Sequence, residues 1–141
     1  MILVSACLLG MNCRFDGGNN THPQIREMVK SENILPVCPE QLGGLPTPRA
    51  PAEIQKNKTV FTSRGDNVTP SFIKGGEETL NLARLFGIKK AILKDGSPSC
   101  GSTYIYDGTF TGKKIPGMGI TTSLLRQNGF DVFSEKDLTK R

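Results

Sequence analysis

Three of the four cysteines in this 141-residue sequence follow short apolar runs, where the chain breaks into a turn. Cys7 follows residues 2–4, Cys38 follows residues 34–37, and Cys100 lies in the turn after residues 91–93. If these runs are parallel strands, the three thiols meet at the carboxyl edge of one sheet, where open α/β sheets bind their ligands. Because thiolates are soft ligands, the pattern predicts a metal centre with an open position.

The cysteine spacing does not match a closed structural zinc site, which takes four ligands and usually has cysteines in close pairs. Five residues separate Cys7 from Cys13, and the other two cysteines are isolated. His22, the only histidine, is a candidate fourth ligand. Well-separated loop cysteines are more typical of an iron–sulfur cluster, and three of them would leave one iron of a four-iron cluster open for substrate.

Alternating strands and helices are predicted to position these residues. Strands are predicted at residues 2–4, 34–37, 91–93 and 131–133, and helices at residues 23–30, 72–86 and 120–127. The first helix has Thr21 as its cap and Pro23 in its first turn, and Gly87 ends the second. Residues 38–51 and 112–119 are expected to be loops, and residues 59–67 and 104–110 short strands or turns.

This alternation predicts a single α/β domain over residues 1–141. Its mostly parallel sheet would be flanked by helices in a Rossmann-like three-layer sandwich. A chain of this length buries a core without disulfides.

Charge and hydropathy exclude some classes of function. The net charge of +5 comes from 18 basic and 13 acidic residues that are scattered along the chain, which argues against a dedicated nucleic-acid binder. The apolar N-terminal run is one strand long and has no signal-peptide features, and no run reaches the length of a membrane span. We therefore expect a cytoplasmic protein with no membrane partner and with reduced cysteines.

Several motifs resemble those of the DUF523 family. They are S-A-C-L-L-G at residues 5–10, R-F-D-G at 14–17, V-C-P-E at 37–40, G-G-L-P-T-P-R at 43–49 and S-P-S-C-G at 97–101. Residues 117–121 and 133–135 also fit, so the resemblance spans nearly the whole chain. The characterised activity of that family is thiouracil desulfuration on a [4Fe-4S] cluster held by three cysteines. The resemblance therefore implies a [4Fe-4S]-dependent desulfurase with Cys7, Cys38 and Cys100 as the ligands.

The resemblance also implies a hydrolytic mechanism without net redox chemistry. The thiocarbonyl sulfur would bind the open iron, which polarises its carbon, while a carboxylate activates water to attack that carbon. Glu40 is the preferred base because it lies two residues from Cys38, and Asp16 would orient it or hold substrate. The alternative is that Glu40 caps a helix start and Asp16 caps the glycine turn.

Five further polar residues are candidates for the site. Ser97, in the catalytic set, and Ser99, in the substrate-binding set, precede the third cysteine and can hydrogen-bond to cluster sulfurs or to a substrate carbonyl. They would equally serve as turn formers. Arg14, Arg49 and Lys94 are predicted to bind polar edges of the substrate, and their alternative role is to tie down their own loops.

Cys13 departs from the family pattern, because many members have an apolar residue such as valine there. It is interpreted either as a small buried hydrophobic residue or as an auxiliary thiol near the site. Ligation of the fourth iron by Cys13 would remove the open coordination position.

Other functions use some of the same residues. A structural zinc or iron–sulfur module, or a sulfur carrier, would use the same three cysteines and would not need Glu40. The spacing from Cys7 to Arg14 is one residue too long for a cysteine-dependent phosphatase, which argues against that function. Thr122 replaces the third glycine of a dinucleotide-binding loop, which argues against a Rossmann cofactor.

The sequence leaves the substrate of a desulfurase open. Free thiolated bases, nucleosides, nucleotides and a thiolated base in transfer RNA are all candidates. The sequence does not indicate an oligomeric state.

Overall fold

A computed structural model describes residues 1–138 of the chain. In chain order its elements are β1 (Ile2–Ser5), a 3-10 helix (Ala6–Leu9), α1 (Pro23–Met28), β2 (Ile34–Val37), α2 (Pro39–Leu42), β3 (Ala52–Ile54), β4 (Val60–Thr62), α3 (Thr69–Leu85), β5 (Lys90–Leu93), β6 (Tyr104–Tyr106), β7 (Lys114–Pro116), α4 (Ile120–Gln127), β8 (Asp131–Ser134) and α5 (Glu135–Leu138). None of the helices in these residues is long and apolar enough to cross a membrane.

Four strands form a parallel sheet in the order β2-β1-β5-β8. Leu3 of β1 pairs with Leu35 on one side and with Ala91 on the other, and Ala91 in turn pairs with Val132 of β8. All four carboxyl ends therefore lie at one edge. The four strands predicted from the apolar runs are confirmed.

The side chains of this sheet alternate between two covered faces, as the pleat requires. On one face Leu3, Ala91 and Leu93 pack with residues of α3 and α4, including Leu80 and Leu125. On the other face Ile2, Val4 and Ile92 pack with Ile25 of α1 and Leu138 of α5. Strands buried on both faces read as continuous apolar runs, which is why the sequence shows them clearly. The predicted three-layer sandwich is confirmed.

Two antiparallel hairpins stand outside the central sheet. β3 pairs with β4, and β6 pairs with β7. Ile54, Val60 and Ile105 from these hairpins pack with Phe72 of α3 in a separate apolar cluster. This cluster attaches both hairpins to the parallel layer.

A close contact between helices sets the position of α2. A Cβ atom on Gly75 of α3 would stand 2.0 Å from the carbonyl oxygen of Pro39, so only glycine permits this approach. Because α2 begins directly after Cys38, the contact fixes the place of Cys38 and Glu40 relative to the helical layer.

Several local predictions were wrong. The cap of α1 is His22 and not Thr21: the His22 Nδ1 atom accepts a hydrogen bond of 3.4 Å from the backbone N–H of Ile25. The segment 38–51 predicted as a loop contains α2, and the segment 112–119 contains β7. The helix predicted at residues 72–86 begins three residues earlier, at Thr69, and ends at Leu85.

Candidate active site

All four cysteines line one cavity of about 730 Å³ at the carboxyl edge of the parallel sheet. Cys7 lies in the 3-10 turn after β1, Cys38 follows β2, and Cys100 lies in the loop after β5. The convergence expected from three strand ends is therefore what the structure shows. The fourth cysteine, Cys13, reaches the same cavity from the loop that follows β1.

Cys13 is buried beside Cys38 in this cavity. The Cys38 thiol donates a hydrogen bond of 3.9 Å to the Cys13 carbonyl oxygen, and Cys13 is only 6% exposed. The neighbouring Cys13 thiol lowers the pKa of Cys7 and lowers that of Cys38 to about 6, whereas Cys38 and Cys7 raise the pKa of Cys13 itself. The structure is compatible with both interpretations that the sequence left open, since Cys13 is a small buried side chain and also lines the cavity.

Cys100 is the most deeply placed of the strand-end thiols. It is 4% exposed, and burial raises its pKa to about 12. The Ser99 hydroxyl oxygen lies 3.7 Å from the Cys100 sulfur. A metal bound here would have to displace the proton of a thiol that otherwise keeps it.

Glu40 lies at the centre of a network that reaches Cys100. Its Oε2 atom accepts hydrogen bonds from the hydroxyls of Ser99 at 2.8 Å and Ser97 at 3.4 Å. Its Oε1 atom forms an ion pair of 3.2 Å with Nε of Arg49. The structure thus brings together three predicted site residues, Glu40, Ser97 and Ser99, in the cavity that holds the cysteines.

The Ser97 hydroxyl also shapes the turn that carries the third cysteine. It accepts hydrogen bonds from the backbone N–H groups of Ser99 at 3.0 Å and Cys100 at 3.1 Å. It lies 2.8 Å from the Ser99 hydroxyl. The two serines therefore act as turn formers and, at the same time, connect Glu40 to this turn.

Arg49 is engaged on each of its three nitrogens. Besides the ion pair with Glu40, Nη1 donates to the Pro46 carbonyl and the Thr47 hydroxyl, and Nη2 donates to the Cys13 carbonyl at 2.9 Å. Its side chain is 8% exposed. These contacts match the alternative role given to Arg49, that of tying down its own loop, and they also orient Glu40.

Arg14 and Asp16 pair with each other in the loop after β1. The Asp16 carboxylate contacts Arg14 Nη2 at 3.1 Å and accepts a bond of 2.9 Å from the Gly18 N–H. Arg14 lines the cavity, whereas Asp16 is 48% exposed and is not among the lining residues. The structure therefore does not bring Asp16 to Glu40 as predicted, and its contacts are those of the alternative role at the glycine turn.

Lys94 lines the cavity and forms an ion pair of 3.0 Å with Glu135. Its Nζ atom also donates to the Asp95 carbonyl at 2.9 Å. Burial opposes the charge, but the bond to Glu135 outweighs it and holds the pKa of Lys94 above its ordinary value. The lysine is thus fixed at the base of the loop that leads to Cys100.

Asp95 organises that loop from the inside. It is 2% exposed, and its Oδ1 atom accepts hydrogen bonds from the backbone N–H groups of Gly96, Ser102 and Thr103. Its Oδ2 atom accepts a further bond from the Thr103 hydroxyl. Burial works against the carboxylate, yet these bonds hold the pKa of Asp95 below its ordinary value. One carboxylate thereby closes the loop of residues 95–103 around Cys100.

Aromatic side chains form another part of the cavity lining. Both tyrosines of the chain and two of its seven phenylalanines take part. We refer to these four residues, Phe15, Tyr104, Tyr106 and Phe110, as the aromatic wall. The cavity therefore combines a polar, thiol-bearing end at the sheet with flat apolar surfaces.

Comparison with known proteins agrees with this site. The sequence model of the 2-thiouracil desulfurase family matches residues 2–137. The chain belongs to this family. The resemblance to DUF523 stated from the motifs is therefore confirmed.

Individual relatives of the desulfurase family resemble the chain over nearly its whole length. The uncharacterized protein YbbK of Bacillus subtilis (strain 168) is 44% identical over 147 residues, which cover 98% of this chain and 97% of that protein. The solved structure of the [4Fe-4S]-dependent thiouracil desulfidase TudS (DUF523Vcz) is 47% identical and superimposes with a TM-score of 0.92. That match covers 99% of this chain and 93% of the other chain.

Sequence reasoning missed two carboxylates of this desulfurase fold. Asp95 precedes a glycine, which signals a turn, and its carboxylate bonds to Gly96 and across the loop to Ser102 and Thr103. That signal was available in the sequence. Glu135 accepts a bond of 2.8 Å from the Asp95 N–H and begins α5, a four-residue helix too short to show a periodic pattern. Neither residue touches the thiols directly, and both hold the loop that presents Cys100.

Proposed function

We propose that this chain is a [4Fe-4S]-dependent thiouracil desulfidase that exchanges the sulfur of a thiolated pyrimidine for oxygen. Cys7, Cys38 and Cys100 are its proposed cluster ligands. The observation that carries the proposal is their convergence from three neighbouring parallel strands into a cavity that also holds Glu40. Membership of the 2-thiouracil desulfurase family and the 47% identity to a [4Fe-4S]-dependent thiouracil desulfidase support it.

The donor set of the cavity fits an iron–sulfur cluster, because its strand-end side chains are free thiols. Soft thiol donors select such clusters, and the Ser99 hydroxyl, 3.7 Å from the Cys100 sulfur, is typical of the groups that orient a metal ligand.

When bound, the cluster supplies a Lewis-acidic iron with an open position for the thiocarbonyl sulfur. Glu40 takes a proton from water, and the hydroxide oxygen attacks the thiocarbonyl carbon. The carbon–sulfur bond then breaks, a carbonyl forms, and sulfur leaves as sulfide. Water and thiouracil give uracil and hydrogen sulfide, so no electron is gained or lost.

The neighbours of Glu40 hold its carboxylate in position for this proton transfer. Arg49 holds one carboxylate oxygen, and the Ser99 hydroxyl, which also lies 3.7 Å from the Cys100 sulfur, holds the other. We assign Ser97 to passing the proton onward, because its hydroxyl contacts both Ser99 and Glu40. A sulfur carrier or a structural module does not need a carboxylate inside the cavity of its cysteines, so the presence of Glu40 there favours the enzyme.

Arg14 and Lys94 have different roles in the proposed mechanism. Arg14 lines the cavity with its side chain 36% exposed, and we assign it to the polar edge of the substrate. Lys94, paired with Glu135, is assigned to fixing the loop of the third cysteine.

The direct test is iron and acid-labile sulfide per chain after anaerobic reconstitution, with thiouracil added and sulfide release followed in the same sample. We expect about four of each per chain and release of one sulfide for each uracil formed. Zinc in place of iron, or a full cluster with no sulfide release, would contradict the proposal.

Replacement of Cys13 tests the number of ligands. We expect Cys13→Val to keep about four irons per chain. Cys13 is buried in the cavity, but it lies outside the motifs that supply the three proposed ligands. We also expect a lower midpoint potential, because hydrogen bonds to ligand sulfurs raise it. Iron analysis and a redox titration followed by electron paramagnetic resonance measure the two effects.

Cys13→Ser is the matched control, because a hydroxyl keeps the hydrogen-bond donor without offering a thiolate. It should restore the midpoint potential toward that of the wild type. Loss of iron from both variants would identify Cys13 as a fourth ligand.

A further inference from the structure

The aromatic wall has no part in the chemistry assigned above. Phe15, Tyr104, Tyr106 and Phe110 bound the same cavity as the cysteines. Its volume of about 730 Å³ lies in the range of small-molecule sites. Flat aromatic surfaces bind planar rings by stacking, with little dependence on the identity of the ring.

Phe110 has an uncommon backbone conformation among these residues. Its φ angle is 59°, in the left-handed region that bulky side chains rarely adopt. The residue lies in the loop between β6 and β7, and its side chain is 36% exposed. A strained residue persists only where its surroundings hold it, and such residues concentrate at functional sites.

Glu53 of the neighbouring hairpin holds this loop. Its Oε1 atom accepts hydrogen bonds from the backbone N–H groups of Phe110 at 3.2 Å and Gly108 at 2.9 Å. The Gln55 side chain donates a further bond of 3.2 Å to the Gly108 carbonyl. Two residues of one hairpin thus fix the loop of the other, and Glu53 itself lines the cavity.

We propose that Phe110 is the stacking surface for the thiolated ring and that Glu53 is the residue that positions it. This inference rests on the proposed function and narrows its substrate class. The enzyme selects planar, unsaturated heterocycles over thiocarbonyl compounds with the same polar edge and a puckered ring. A planar ring places its whole face on Phe110, whereas a saturated ring touches it with few atoms.

The test compares Phe110→Leu with the wild type, both with full clusters. We expect KM for thiouracil to rise about tenfold, with kcat changed less than about twofold. Iron per chain and the electron paramagnetic resonance spectrum should be unchanged, because a phenyl side chain offers no ligand atom to iron and the Phe110 N–H bonds to Glu53. Phe86→Leu, a change at an exposed aromatic residue of the α3 end, is the matched control.

Binding of the product separates ring stacking from turnover. The wild type should bind uracil about tenfold more tightly than 5,6-dihydrouracil, and Phe110→Leu should remove most of that difference. Glu53→Ala should shift both readouts in the same direction, and adding it to Phe110→Leu should have no further effect, since Glu53 acts through Phe110.

Three outcomes would overturn the inference. They are an unchanged KM in Phe110→Leu, equal affinity of the wild type for uracil and dihydrouracil, and additive effects of the two substitutions. If the wild type releases no sulfide but binds uracil with the expected preference, the proposed function fails while the stacking role of Phe110 stands.

Discussion

The Glu40→Gln variant is expected to keep its cluster and to lose sulfide release by about 10²- to 10⁴-fold, the usual contribution of a positioned general base. Glutamine has nearly the same shape as glutamate, and its amide oxygen can still accept a hydrogen bond from Arg49. The amide cannot take a proton from water. The fold and the three thiols therefore survive while the base is lost. The amide NH2 group then faces the serine hydroxyls, which accept from it instead of donating.

The measurement is anaerobic sulfide release from thiouracil, with iron and labile sulfide determined on the same preparation. Glu77→Gln, the same chemical change at an exposed position of α3, is the matched control and should retain full turnover. Unchanged turnover in Glu40→Gln would remove Glu40 as the base and favour another carboxylate of the cavity. Loss of iron would instead assign Glu40 a structural part in cluster assembly.

The main sheet and its cysteine edge were predictable because the signals are local and strong. Strands buried on both faces give apolar runs, and the turns after them carry the thiols. Helix α4 was found at its observed bounds, because Gly119 and Gly129 flank a clear amphipathic segment. Motif resemblance then supplied the ligand set, which neither spacing nor composition decides.

The rest of the site depends on contacts between distant segments. Strands β3 and β7 have three residues each, too few to show an alternating pattern. The place of Cys13 in the cavity, where its carbonyl accepts from the Cys38 thiol, follows from the path of the loop after β1, which no local signal specifies. The place of Phe110 is likewise set by Glu53, a residue of another hairpin.

The same reasoning explains why Glu40 reaches the cavity and Asp16 does not, although both residues belong to family motifs. Glu40 follows β2 directly, so the parallel sheet and the contact between α2 and Gly75 carry it to the cavity. Asp16 follows a longer loop, where bonding to its own turn is the nearest way to satisfy its oxygens. Proximity in sequence to a strand end was the more reliable guide to the site.

Cys100→Ala is expected to remove the cluster while the fold persists. Iron should fall from about four per chain to less than about one, and sulfide release should fall to background, because two thiolates do not hold a four-iron cluster. The turn itself should survive. The Ser97 hydroxyl still accepts the backbone N–H of residue 100 at 3.1 Å, and the Thr122 hydroxyl still donates to its carbonyl at 2.9 Å.

Cys13→Ala is the control that makes this result specific, since it removes the same sulfur atom from a buried position in the same cavity. Circular dichroism of the cluster-free proteins should show both variants folded, with a loss of stability of about 1 to 2 kcal/mol for a small buried side chain. If Cys13→Ala lost iron and Cys100→Ala kept it, Cys13 of the loop after β1 would be a cluster ligand in place of Cys100. Loss of iron from Cys100→Ala alone would instead place the cluster where the carboxyl ends of β1, β2 and β5 meet, with Glu40 and Ser99 beside it.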